Sequence, residues 1–133
     1  MAIIGYNVTK IEASKDAPKK GKVSIRNNIQ LIDVKETEMN GLGNEQKSLL
    51  FSFRFTSDYD PKIGNIKIEG NVSTVEKTEE ADKILKDWQE KNLDKNVRNN
   101  ILNVALNRCN VTTILLSREV GLPSPIPMPK LKN

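Results

Sequence analysis

Apolar and polar residues alternate through much of the first half of the chain. In SLLFSFRFT, Leu49, Phe51, Phe53 and Phe55 fall on one side while Ser52, Arg54 and Thr56 fall on the other, the period of a half-buried strand. NIKIEGNV repeats the pattern with Ile66, Ile68 and Val72. In KVSIRNNIQLIDV, Val23, Ile25, Ile29 and Leu31 share a face before the apolar phase slips to Ile32 and Val34, which predicts a bulge or a change of strand partner. The opening AIIGYNVTKIEA is a weaker fourth candidate. SKDAPKKG, MNGLGNEQK and SDYDPKIG read as turns. Links this short favour an antiparallel sheet with one apolar face.

The second half has the period of helices. Thr78 is placed to cap a short helix through EEADKILKDWQEK, with Glu79 and Glu80 in its first turn and Ile84, Leu85 and Trp88 on its apolar side. Asp94 is placed to cap a longer helix, Lys95 to Val120, which Gly121 closes. On a helical projection Asn96, Asn100, Asn103, Asn107 and Asn110 form one narrow polar stripe. Opposite lie Val97, Ile101, Val104, Ala105, Val111, Thr112 and Leu115, and Leu102, Leu106, Cys109 and Leu116 widen this arc well past the ~100° that a one-sided surface helix needs. One side covers the sheet. The remainder is free either for the same helix of a second subunit or for the short helix and the C-terminal segment of the same chain.

That C-terminal segment, GLPSPIPMPKLKN, has proline at every second position from Pro123 to Pro129. Proline fixes its own φ, lacks an amide donor and pushes the preceding residue towards extended conformations, which excludes a helix or a central strand. The expected organisation is a single α+β domain over residues 1–121 and an extended arm over 122–133. The arm either lines a groove with its apolar side chains or packs on its own sheet, and the amphipathic pattern is compatible with both.

Composition narrows the chemistry. The 133 residues fit one domain with a core of its own, although three Phe, two Tyr and one Trp supply few large side chains. No apolar stretch approaches the ~20 residues of a membrane span, and MAIIGYNVTK lacks a basic leader with a long apolar core, so a cytoplasmic protein is expected. The single cysteine fits a reducing compartment. The net charge of +4 raises the alternative of nucleic-acid binding through the basic run KDAPKKGK, Lys15 to Lys22. Elsewhere lysines alternate with acids, which reads as a mixed solvated surface and makes nucleic acid the lesser reading.

Histidine is absent, which removes the commonest general base and metal ligand together with Ser-His and Cys-His nucleophile pairs. Cys109 falls on the apolar side of the long helix and reads as a small buried hydrophobe. GLGNEQKS fails the spacing of a phosphate loop, and DYDPKIG lacks the further oxygen ligands of a calcium loop. No enzyme, metal or cofactor is expected. The pattern points to binding.

Against this background the chain resembles the SecB-type export chaperones. RNNILNVALNRCNVTTILLSREVGLPSPIPMPKL is similar to that family's long helix and tail at Asn100, Ile101, Leu102, Ala105, Arg108, Cys109, Gly121 and the following prolines. FSFRFT resembles the family's third strand at Arg54 and Thr56, IKIEGNV its fourth at Ile68, Glu69 and Gly70, and IEASKDAP its first strand and turn. The departures are the inserted EKTEEADKILKDWQEKNLDK and the basic charge, where the bacterial export chaperones are acidic. The resemblance implies an ATP-independent holdase that binds unfolded protein clients in apolar grooves, for export or for a dedicated client such as an antitoxin. It also implies a homotetramer, a dimer of dimers, with no membrane partner. The client-binding residues expected are Leu42, Leu122, Ile126 and Met128. The residues expected at the oligomer interface are Ile101, Leu102, Leu106, Cys109, Thr113 and Leu116.

Overall fold

The computed structural model describes residues 1–16 and 22–126. Four strands precede two helices: β1 (Ala2–Lys15), β2 (Ser24–Thr37), β3 (Gln46–Asp60), β4 (Gly64–Lys77), α1 (Thr78–Gln89) and α2 (Lys95–Val120). The strands form one antiparallel sheet in the order β1-β4-β3-β2, and both helices lie against the same face of it. The fold is α+β, as the change of period from two to 3.6 predicts.

The strands outrun the alternation that marks them in the sequence. SDYDPKIG reads as a turn, yet β3 continues through Asp60 because Ser57 and Tyr59 keep the inward phase and are at most 1% exposed. The phase slip in β2 is a bulge: Leu31 pairs with Phe53 and Asp33 with Ser52, leaving Ile32 unpaired between them. The bulge lets Leu31 and Val34, three residues apart, both face the helices. Two further register shifts, between Ile3 and Gly5 and between Val8 and Lys10, interrupt β1.

Phe51, Phe53 and Phe55 of β3 and Ile66, Ile68 and Val72 of β4 are essentially inaccessible and form the floor of the core. Burying each such side chain stabilises the fold by about 1.5–3 kcal/mol. From above, Ile101, Ala105, Cys109, Thr113 and Ser117 of α2 bury every fourth residue, a ridge slanted to the helix axis. Most of them are small. The asparagine stripe points away, with Asn96, Asn100, Asn103 and Asn107 exposed.

Helix ends follow local chemistry with one exception. Asp94 caps α2, its side chain accepting from the Asn96 amide at 3.2 Å. Gly121 ends it in the left-handed region at φ 75°, and the Leu122 amide closes back on the Ser117 carbonyl at 2.8 Å. Thr78 does not cap α1. Lys77 holds that position, and the Thr78 hydroxyl instead donates to the Asn44 carbonyl at 2.8 Å, tying the helix start to the β2–β3 turn.

The opposite face of the sheet is open and polar. Arg54 Nε meets Glu69 Oε1 at 2.8 Å, Arg26 Nε meets Asp60 Oδ2 at 3.0 Å, and Lys10 Nζ meets Glu12 Oε1 at 3.2 Å. Signs are interleaved along this face, so it offers neither a basic stripe for phosphates nor an acidic surface.

Candidate functional site

Three segments far apart in sequence meet at one side of the helical layer. β2 contributes Ile29, Gln30, Leu31, Asp33 and Val34, the end of α1 contributes Trp88, Gln89 and then Lys91, and α2 contributes Arg98 and Leu102. Together they line a groove of about 710 Å³. Ile29, Leu31, Trp88 and Leu102 are half-buried and make its apolar floor, with Val34 buried behind them.

Local chemistry explains why the groove stays open. β2 is an outer strand, so one edge of its backbone has no neighbour in the sheet. α1 stops at Gln89, its end closed by Lys91 N–H to the Trp88 carbonyl at 3.1 Å and Asn92 N–H to the Asp87 carbonyl at 2.8 Å. This closure puts Lys91 in the left-handed region at φ 58°. Trp88, in the last turn before this closure, is one of the groove-lining residues. The arrangement combines apolar contact with a free strand edge, the two elements needed to hold an extended peptide.

The expected client-binding residues are not brought together here. Leu42 is half-buried in a separate, mostly polar hollow beside the β2–β3 turn, with Glu36, Glu38 and Met39. Leu122 is only 6% exposed and packs in the core. The arm from Leu122 to Ile126 packs on its own sheet: the Tyr59 hydroxyl donates to the Pro123 carbonyl at 2.6 Å, and Asn27 Nδ2 donates to the Pro125 carbonyl at 3.1 Å. Ile126 is half-buried at the end of this segment. Met128 lies outside the described residues, as does most of the Lys15 to Lys22 run.

The expected oligomer-interface residues divide in the same way. Ile101, Cys109 and Thr113 have no exposed surface and face the chain's own sheet. Leu102, half-buried, lines the groove, while Leu106 and Leu116 flank the buried ridge, also half-buried. The outward apolar surface of α2 is carried by Val111 and Leu115, 61% and 59% exposed.

Cys109 is enclosed by Tyr6, whose hydroxyl lies 3.9 Å from its Sγ. Tyr6 is stacked on Phe53 with ring centroids 5.7 Å apart, and the Arg108 guanidinium lies 5.3 Å from the centre of the Tyr6 ring. Burial pushes the Cys109 thiol up to about 11, so it stays protonated and inert at neutral pH. Among the described residues no group of three or more Cys, Asp or Glu side chains is arranged to hold a metal ion, and no helix is long and apolar enough to cross a membrane.

The sequence marks the groove residues as apolar but not as a site. Ile29 and Leu31 share the inward face of a strand, and Trp88 the apolar side of a short helix, so each reads as core. The one distinguishing signal is that the chain's single tryptophan sits in the last turn of a helix followed by a polar run.

No family model matches the chain, and no curated protein matches its sequence. Among solved structures the fold is similar to that of Mycobacterium tuberculosis Rv1957, a SecB-like chaperone, in complex with a ChAD peptide from the Rv1956 HigA1 antitoxin. The superposition has a TM-score of 0.55 and covers 98% of this chain and 90% of that one, at 8% sequence identity. The likeness is one of fold.

Proposed function

We propose that this protein is a chaperone that holds nonnative polypeptide, without ATP, in the groove between β2, the end of α1 and α2. The observation that carries this reading is the meeting of a half-buried apolar floor (Ile29, Leu31, Trp88 and Leu102) with the free edge of β2. An unfolded segment laid there gains apolar burial from the floor and backbone hydrogen bonds from the edge, and neither needs a metal or nucleotide. The SecB-like fold supports the reading, and the neighbour's antitoxin peptide makes a dedicated client a natural variant of it.

The working form is a homotetramer. Val111 and Leu115, one helical turn apart on α2, form an exposed apolar strip of the kind that a second subunit covers. Interleaved charge on the open sheet face favours polypeptide over nucleic acid as the partner.

Light scattering of a chemically denatured client diluted into buffer without nucleotide tests the proposal. The protein is expected to suppress aggregation near one oligomer per client, at moderate salt as at low salt. Trp88→Ala is expected to weaken suppression while leaving the far-UV spectrum unchanged. Undiminished aggregation in the presence of a molar excess of folded protein would end this reading.

A further inference from the structure

Two cations stand among the groove-lining residues without acidic partners. No carboxylate of the described residues lies within 4 Å of Lys91 or Arg98. Of the acids of the helical layer, Asp87 and Asp94 line a different hollow, with Glu76 and Glu80. Asp33 alone among the lining residues is negative, so the groove carries a net positive charge of one: Lys91 and Arg98 against Asp33. Lys91 also occupies a left-handed position, φ 58°, where glycine is the favoured residue at the end of a helix. A side chain kept at such a position costs stability relative to glycine, which fits a role for the side chain itself.

Resting on the polypeptide-binding reading above, we propose that the groove selects extended segments in which an apolar anchor is flanked by acidic residues. The anchor packs on Trp88, Leu31 and Leu102 while the flanking carboxylates meet Lys91 and Arg98. Lysine or arginine at the same flanks would set like charges against these two side chains and be rejected. The groove thus reads the charge beside the anchor as well as its hydrophobicity, and the basic overall balance of the chain, +4, acts in the same direction.

The test uses two short, tryptophan-free peptides of identical apolar sequence, one with glutamate and one with lysine at the flanking positions. Trp88, as the only tryptophan, reports binding by its emission. The glutamate peptide is expected to bind about tenfold tighter at low salt, with the ratio shrinking as salt rises. In Lys91→Glu/Arg98→Glu the ranking should invert. Lys91→Gly, which relieves the left-handed strain, should raise thermal stability and still lose part of the preference, so the proposal stays testable if the double variant folds poorly.

Equal affinity of the two peptides for the wild-type protein, with Trp88 responding to both, overturns the charge preference and leaves polypeptide binding intact. A Lys91→Gly protein with the full wild-type preference also overturns the part assigned to Lys91. No response to either peptide removes the binding reading itself, and this inference with it.

Discussion

Leu122, the second residue beyond α2, is seated directly on Gly64, the first residue of β4. A Cβ on Gly64 would lie 2.9 Å from Leu122 Cδ1 and 2.6 Å from the carbonyl oxygen of Ser14. Glycine is required here by close approach, because one of the two obstacles is backbone of the neighbouring strand and cannot swing aside.

Gly64→Ala is therefore expected to destabilise the fold by about 1–3 kcal/mol, the usual cost of overpacking. Leu122→Ala, which empties the same site, should cost about 2–5 kcal/mol. Combining them is expected to relieve the clash with Leu122 but not the one with Ser14, so the double variant stays at least as unstable as Leu122→Ala alone. Urea titrations of the three variants check this, and full rescue of Gly64→Ala by Leu122→Ala would show that the Ser14 contact is immaterial.

Glu76 predicts a pH dependence. Its side chain is buried on the helix-covered end of β4, 3% exposed, and Oε2 has no hydrogen-bond partner. Burial holds its pKa above the ordinary value of 4.5. With the folded value raised, the folded state binds the proton more tightly than the unfolded one. The contribution to stability is then fully present below about pH 4.5 and is lost as pH rises through the folded value. Glu76→Gln should raise the melting temperature at pH 8 and leave it nearly unchanged at pH 4. An equal gain at both pH values would show that shape, not charge, governs the site.

Val111 and Leu115 predict the assembly. Leu115→Asp places a charge on an exposed position of the monomer, 59% accessible, so it should cost the fold of one subunit little. In a tetramer joined through this strip the same charge would be buried against an apolar partner, and the assembly should dissociate. Sedimentation velocity on both proteins at micromolar concentration gives the answer. A wild-type chain that sediments as a monomer would remove the proposed oligomer.

The correspondence between sequence and structure is best where a single stretch of backbone decides the outcome. Leu49, Phe51, Phe53 and Phe55 alternate in the sequence and all turn inward in β3. The slip between Leu31 and Val34 is the bulge at Ile32, and Asp94 and Gly121 bound α2 through a side-chain cap and a left-handed glycine. Thr78 shows where this stops. Its residue type suits a cap, but the Asn44 carbonyl, brought close by the β2–β3 turn, captures the hydroxyl instead.

Strand periods, the phase slip in β2, both ends of the long helix and the lack of histidine chemistry were determined by the sequence alone. Each depends on dihedral preferences, side-chain spacing or residue type within a few positions. The strand order β1-β4-β3-β2, the ridge of α2 that meets the sheet, the burial of Leu122 and the groove itself were decided only by tertiary structure. A period of two or 3.6 says which residues share a face but not which distant face will cover them. Ile29, Trp88 and Leu102 therefore look like any other core residues until β2, α1 and α2 pack and leave them half-buried around one groove.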